Sequence, residues 1–327
     1  MIKVSLVGLG YWGPNLLRNL YNHENISIVS ICDIDKEKVE KFLNLYPKVA
    51  KGTTDFQDVL KDDSSLAIIA TPPELHYEQA KASLLSGKHV LVAKPFTTDS
   101  KKAEELINIA ESKNLKIFID HTFVFHPVTN KIKNILNSGE LGRTIYFDSE
   151  RLRGIYQRNM DVIWDLAVHD FSILLHLGFK IKIEDVISKN LYGKKERDMA
   201  HISFSSDDGI IGHIYVNWFS PLKIRKILIG CERGLILWDD VHPFEKLKIF
   251  YYEENLRVQD FENPFFPTFI SGDVRIVKIE NKETLSIEID KIVRSIEHNI
   301  PFESDGKFGL EVLKLLEYCE RLQKPEK

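Results

Sequence analysis

The sequence predicts two α/β domains in tandem. Residues 1–121 read as a doubly wound parallel sheet, and residues 122–327 as an α+β domain on a large, mostly antiparallel open sheet. Three observations carry this. An apolar strand, Val4-Ser5-Leu6-Val7, runs straight into Gly8-Leu9-Gly10-Tyr11-Trp12-Gly13. Up to Thr122 short apolar runs alternate with helical patterns, the rhythm of a parallel sheet with crossover helices. Beyond residue 184 strands follow one another without helices between them, which implies antiparallel neighbours.

In the first half the strands read as Lys3–Val7, Ile26–Ile31, Leu66–Ala70, Val90–Ala93 and Ile117–Asp120, with a weak short strand near Val49. Between them Leu16–Tyr21, Lys36–Tyr46, His76–Ser86 and Lys101–Lys113 have the apolar spacing of helices. Asp99-Ser100 caps the last, and Gly87 ends the one before it.

In the second half Pro127–Asn137 reads as a helix stopped at Gly139, Thr144–Arg151 as a strand, and Ile163–His176 as a helix. Seven strands are then expected: Val186–Leu191, His201–Phe204, Ile210–Trp218, Lys226–Ile229, Leu235–Trp238, Leu247–Tyr252 and Val274–Ile279. Asp207-Asp208-Gly209 and Glu232-Arg233-Gly234 are turn signals between them. The Phe- and Pro-rich stretch Asn255–Ser271 reads as an insertion or interface loop, and helices Ser286–His298 and Phe308–Leu322 close the chain.

Composition narrows the function classes. With 327 residues the chain is long enough for two cores, and 43% hydrophobic with 28% charged residues describes an ordinary globular protein. A net charge of −4 gives no bulk reason to expect nucleic acid or an anionic membrane as partner. No apolar run approaches the roughly 20 residues of a membrane span, and a core strand at the N-terminus argues against a targeting peptide. Cys32, Cys231 and Cys319 form neither a disulfide framework nor a metal-ligand spacing, so a reducing cytoplasm and no metal are expected.

The chemistry begins in the glycine turn. Gly8 permits the tight bend, Gly10 the close approach of a pyrophosphate, and Gly13 close packing of helix on strand; Tyr11 and Trp12 complete the loop. The helix N-terminus adds N–H groups and partial positive charge. Asp33 ends the second strand about 20 residues further on, where a carboxylate accepts from ribose hydroxyls and repels a 2′-phosphate. No arginine follows it, so NAD is favoured over NADP, although Lys36 and Lys38 lie close by.

Three further segments belong at the carboxyl edge of such a sheet. Thr71-Pro72-Pro73-Glu74-Leu75-His76 follows the Leu66–Ala70 strand, so Thr71, Pro72 and His76 are candidate cofactor contacts. Lys94-Pro95 follows Val90–Ala93, which pushes the Lys94 amine toward the same crevice. Asp165 and His169 are four positions apart on one helix face; a carboxylate fixes the imidazole tautomer and stabilises its cation, which suits a proton acceptor. Arg151, Arg153, Tyr156 and Arg158 follow the first strand of the second domain as candidate contacts to a sugar or phosphate.

With Gly8–Gly13, Thr71–His76, Lys94-Pro95 and Asp165–His169 in hand, the chain resembles the glucose-fructose oxidoreductase / inositol dehydrogenase / rhizopine-catabolism (Gfo/Idh/MocA) family over nearly its whole length. The junction His121-Thr122-Phe123-Val124-Phe125-His126-Pro127 and the segment Ser138-Gly139-Glu140-Leu141-Gly142 add to the match. The resemblance implies an N-terminal Rossmann domain, a substrate held over the nicotinamide, and homodimers or homotetramers built through the open sheet. The residues suit hydride transfer from a secondary hydroxyl of a pyranose, with Lys94, if desolvated, and His169 exchangeable as proton acceptor. One position departs: the family usually has Glu-Lys-Pro where this chain has Ala93-Lys94-Pro95.

Gly10-Tyr11-Trp12-Gly13-Pro14-Asn15-Leu16 and Trp164-Asp165-Leu166-Ala167 are similar to the branch linked to surface-polysaccharide and nucleotide-sugar pathways. That similarity points to the 3-OH of a UDP-N-acetylhexosamine. A free polyol or inositol dehydrogenase, a ketosugar reductase and a catalytically silent NAD-binding sensor are the alternatives, the last resting on Ala93.

Overall fold

The computed structural model describes residues 1–153, 160–191, 196–252 and 271–322. They divide into two compact units, residues 1–125 with 282–317, and residues 126–281 with 318–327. The sequence division at 121/122 therefore needs correction: the first C-terminal helix and most of the second belong to the first unit.

The first unit is a six-stranded parallel sheet of β1 (Ile2–Val7), β2 (Ile26–Cys32), β3 (Lys51–Thr53), β4 (Leu66–Ile69), β5 (His89–Ala93) and β6 (Ile117–Asp120). The order β3-β2-β1-β4-β5-β6 reverses direction between β1 and β4. At that switch point helices leave to opposite sides and open a crevice beyond the carboxyl ends of the strands. Helices α1 (Gly13–Tyr21), α2 (Lys36–Leu45), α4 (Pro73–Leu85) and α5 (Ser100–Ser112) follow the predicted pattern. The short α3 (Phe56–Lys61), capped by the Asp55 carboxylate, is too brief to show a period in sequence. The two prolines before His76 open α4, one as cap and one at its first turn, because a missing N–H costs nothing there.

The apolar face of α1, Leu16, Leu17 and Leu20, shares one core with Leu285, Ile289, Ile292 and Val293 of α8 (Thr284–His298). Each such side chain contributes about 1.5–3 kcal/mol by burial, an upper estimate. A helix whose apolar stripe completes the N-terminal core folds with it whatever its place in sequence. Arg18 and Asn19 of α1 fasten the start of α8 through Glu283.

The second unit is built on an eight-stranded sheet, ordered β14-β13-β12-β11-β7-β10-β9-β8. Its strands are β7 (Thr144–Leu152), β8 (Ile181–Lys189), β9 (Met199–Ser206), β10 (Ile211–Asn217), β11 (Ile224–Cys231), β12 (Gly234–Asp239), β13 (Leu247–Tyr252) and β14 (Ser271–Ile276). Among the described residues only β7 and β10 pair in parallel here; the other neighbours are antiparallel, as the run of strands predicts. Strand β8 starts before the expected Val186, its alternation interrupted by an irregularity at Ile183/Asp185. Helices α6 (Pro127–Asn137) and α7 (Val168–Leu177) belong to this unit, and α9 (Gly306–Leu322) ends the described chain. The expected loop Asn255–Ser271 lies almost wholly outside the described residues.

Candidate active site

The loop after β1 owes its shape to two glycines. Gly8 sits at φ +97°, and a Cβ there would stand 2.5 Å from the Ala70 carbonyl oxygen; at Gly13 it would stand 1.9 Å from that of Gly8. A Cβ at Gly10 would meet nothing within 4 Å, so this position opens onto free space. The N-cap residue of α1, Trp12, makes no side-chain capping hydrogen bond among the described residues. Asp33 holds the loop from β2: its Oδ2 accepts the Leu9 N–H at 2.6 Å and its Oδ1 the Asp35 N–H at 3.0 Å. Each oxygen keeps a further lone pair for a hydroxyl. An uncapped helix start, an open glycine and an anchored carboxylate fit a dinucleotide diphosphate and its ribose. Lys36 and Lys38 pair with Glu40 and Asp35 at 3.4 and 3.5 Å on the surface.

His76 is not the cofactor contact the sequence suggests. It is fully buried, with Nδ1 2.8 Å from the Pro95 carbonyl oxygen and Nε2 2.9 Å from that of Thr71. Burial pushes its pKa down, against the pull of both carbonyls. The ring ties the loop after β4 to the loop after β5 and thereby places Lys94. The Thr71 hydroxyl is engaged by Gln79 at 2.6 Å. Trp12 is anchored likewise, its indole N–H donating to the Asp120 carboxylate, whereas Tyr11 is exposed.

Lys94 leaves β5 half-buried at the carboxyl edge of the same sheet that carries Gly8 and Thr71. Ala93 pairs in register with Asp120, so Lys94 and His121 leave adjacent strands together.

In the second unit Asp165 lies in a π-helical turn, Ile163–Ala167, that runs directly into α7. The sequence predicts one regular helix, Ile163–His176, here. The wider turn re-aims side chains, and such turns recur at functional sites. Asp165 is buried and His169 half-buried. The next residue, Asp170, is completely buried and takes two hydrogen bonds of 3.0 Å from Arg151 and one of 2.7 Å from Ser149. The candidate substrate arginine Arg151 is therefore the clamp that seats α7 on β7. Trp164 adds a second anchor, donating to Glu320 at 2.7 Å.

Around that clamp gathers a cationic group the sequence reading only half contained. Arg225, the register partner of Arg151, bonds Asp240 at 3.2 Å. Burial lowers its pKa, and the charges of Arg151 and Arg153 lower it further. Burial would raise Asp240, but His126, Lys246 and Arg225 carry it below its usual range. His126 is itself pushed down to about 4 by burial. Arg225 and Asp240 carried no motif; only strand register reveals them. Tyr156 and Arg158 lie outside the described residues. Among the described residues no group of three or more His, Cys, Asp or Glu is placed to hold a metal, and no helix is long and apolar enough to cross a membrane.

Comparison with known proteins bears on the family and the fold. Residues 2–121 match the model of an oxidoreductase family with an NAD-binding Rossmann fold, Gfo/Idh/MocA. A UDP-N-acetylglucosamine 3-dehydrogenase from Acidithiobacillus ferrooxidans is 22% identical over 95% of this chain and 94% of its own. Its structure superposes with TM-score 0.84 at 20% identity, covering 98% of this chain and 97% of that one. The WlbA dehydrogenase of Bordetella pertussis, solved with NADH and UDP-GlcNAcA, gives TM-score 0.80 at 17% identity over 100% and 99% of the two chains. A 3-ketoreductase from Actinomadura kijaniata, solved with TDP-benzene and NADP, gives 0.82 at 15% over 98% and 96%. The chain is an NAD-binding oxidoreductase whose residues 2–121 match the Gfo/Idh/MocA family.

Proposed function

We propose that the protein oxidises a secondary hydroxyl of a nucleotide sugar, the 3-OH of a UDP-N-acetylhexosamine. One observation carries the reading: Lys94 stands at the carboxyl edge of the same parallel sheet that holds the glycine loop and Asp33, at the end of the strand next to β4. The nucleotide-sugar class draws on the similarity to the Acidithiobacillus and Bordetella enzymes and on the Arg153 and Arg225 cations, which suit a diphosphate.

NAD, when bound, would supply the hydride acceptor. Gly10, in the loop that Gly8 and Gly13 shape, would leave room for its diphosphate, and Asp33 would accept from its ribose. Lys94 donates a hydrogen bond to the reacting oxygen and stabilises the charge that grows there. His169 takes the hydroxyl proton, and Asp165 orients the imidazole and stabilises its cation. Lys94 and His169 are chemically able to exchange the acceptor role. We further infer a homo-oligomer, supported by the exposed Ile145, Ile211, Val274 and Ile276 on strands of the second sheet, and a reducing cytoplasmic setting, supported by three buried free cysteines.

The test is incubation with NAD and a panel of UDP-N-acetylhexosamines, their uronates, dTDP-sugars and free inositols. Reduced nicotinamide is followed by absorbance, and the product by mass spectrometry. A nucleotide-sugar product lighter by two hydrogens supports the reading. Turnover of inositols alone assigns the protein to polyol oxidation instead. NAD binding without turnover of any candidate leaves the sensor.

A further inference from the structure

Beneath the glycine loop lies a pair of buried acids with no part in the chemistry above. Asp120, at the end of β6, is 2% exposed; its carboxylate accepts from Trp12 Nε1 and, at 2.8 Å, from Thr122 Oγ1. Glu288, on α8, is wholly buried, and among the described residues neither of its oxygens is met by an N–H or hydroxyl donor. What it faces is the Asp120 carboxyl. Two carboxylates in contact out of water do not both ionise, so one proton is retained between them. The donors Trp12 and Thr122 aim at Asp120, which places the charge there and the proton on Glu288.

We propose that Asp120 is the positioning acid of Lys94, supplied by β6 because its register partner Ala93 has no acid to give, and that Glu288 backs it as a neutral carboxylic acid, leaving one negative charge on the pair. This rests on the reading of Lys94 as the amine that contacts the reacting oxygen. The charge balance around the pair agrees. Burial raises Asp120 above its usual range, and the hydrogen bonds of Trp12, Thr122 and Glu288 and the Lys94 ammonium offset only part of that rise. Burial, then Asp120 itself, pushes Glu288 far above the carboxylate range. His121, beside them, is pushed down to about 3 by burial and then by the Lys94 charge, so it is neutral and supplies no compensating cation. Among the described residues the groups acting on Asp120 are thus Trp12 from the glycine loop, Lys94 after β5, Thr122 after β6 and Glu288 from α8, with the neutral His121 next in sequence. Arg18 of α1 is engaged by Glu283.

The consequence is measurable on the protein without cofactor or turnover. The rate of Lys94 acylation, followed by peptide mass spectrometry against pH, reports when its amine loses the proton. Glu288→Gln keeps a hydrogen-bond donor toward Asp120 and leaves the midpoint in place. Asp120→Asn/Glu288→Gln removes the charge, so the ammonium is less stabilised and the midpoint falls by about one pH unit or more, roughly tenfold in the equilibrium. Adding Ala93→Glu to that double variant restores it; a merely structural acid pair predicts no such rescue. An unmoved midpoint in the folded double variant overturns the proposal, as does a shift in Glu288→Gln equal to that of the double. Should the double variant not fold, Thr122→Val removes one donor from Asp120 and shifts the midpoint less, in the same direction; no shift there overturns it equally. Lys94→Met separates the two readings. Full turnover in that variant defeats the catalytic role of Lys94, whereas lost turnover with an unmoved midpoint in the double variant defeats only the role of Asp120.

Discussion

Arg151 and Asp170 form a bidentate ion pair, with two hydrogen bonds of 3.0 Å, at side-chain exposures of 5% and 0%. Asp170 is the immediate neighbour of His169, so this pair fixes where the imidazole is carried. Truncating one partner leaves a charge buried and unpaired. Arg151→Ala is expected to lower unfolding stability by about 3–5 kcal/mol, and turnover is expected to fall with it through displacement of α7. Chemical denaturation read beside kcat checks both. A stable variant with lost activity would show instead that Arg151 touches substrate.

Asp33 is expected to set cofactor choice. NAD should bind more tightly than NADP in calorimetric titration, because the Asp33 carboxylate repels a 2′-phosphate. Asp33→Ser narrows the gap. Equal or tighter NADP binding by the unaltered chain defeats the assignment and turns attention to Lys36 and Lys38.

His169→Asn is expected to leave folding and NAD affinity nearly unchanged while kcat drops by about two to four orders of magnitude. Asp165→Asn costs less, and least at high pH, where the imidazole is neutral without help. Unaltered turnover in the His169 variant leaves Lys94 as the base.

Lys94→Met keeps length and removes the charge, so it is expected to abolish most hydride transfer with NAD affinity retained. Ala93→Glu alone adds a carboxyl beside a pair that already shares one proton, and is expected to impair turnover or leave it little changed. Turnover that appears only in Ala93→Glu, with none in the natural chain on any sugar tried, marks the protein as a sensor.

Acid stability is expected to depend on Asp62. Ser5, Ser30 and Ser64 donate to it at 2.6–2.8 Å and Lys88 at 3.0 Å, and against the opposing effect of burial they hold its pKa at about 2. The folded pKa is depressed, so the stabilisation is complete above about pH 4 and lost as pH falls toward 2, roughly 2 kcal/mol in all. Asp62→Asn should flatten that limb of the stability profile, which denaturant midpoints against pH would reveal.

Much of the first unit was legible because its signals are local. Apolar runs of a few residues, helical spacing between them and the Gly8–Gly13 turn each depend on neighbours in sequence. The same holds for Asp33, whose interval from the glycines follows from one βαβ unit, and for Lys94, thrown to the sheet edge by the strand before it. Three features had no local signal. The return of α8 to the N-terminal core depends on where its apolar stripe finds a partner, far away in sequence. The parallel pairing of β7 with β10 depends on which strands the connecting segments bring together. The buried charges, Asp120 with Glu288 and Arg151 with Asp170, look in sequence like any surface acid or base. Only packing removes them from water, and removal from water turns an ordinary side chain into one whose proton and partner matter.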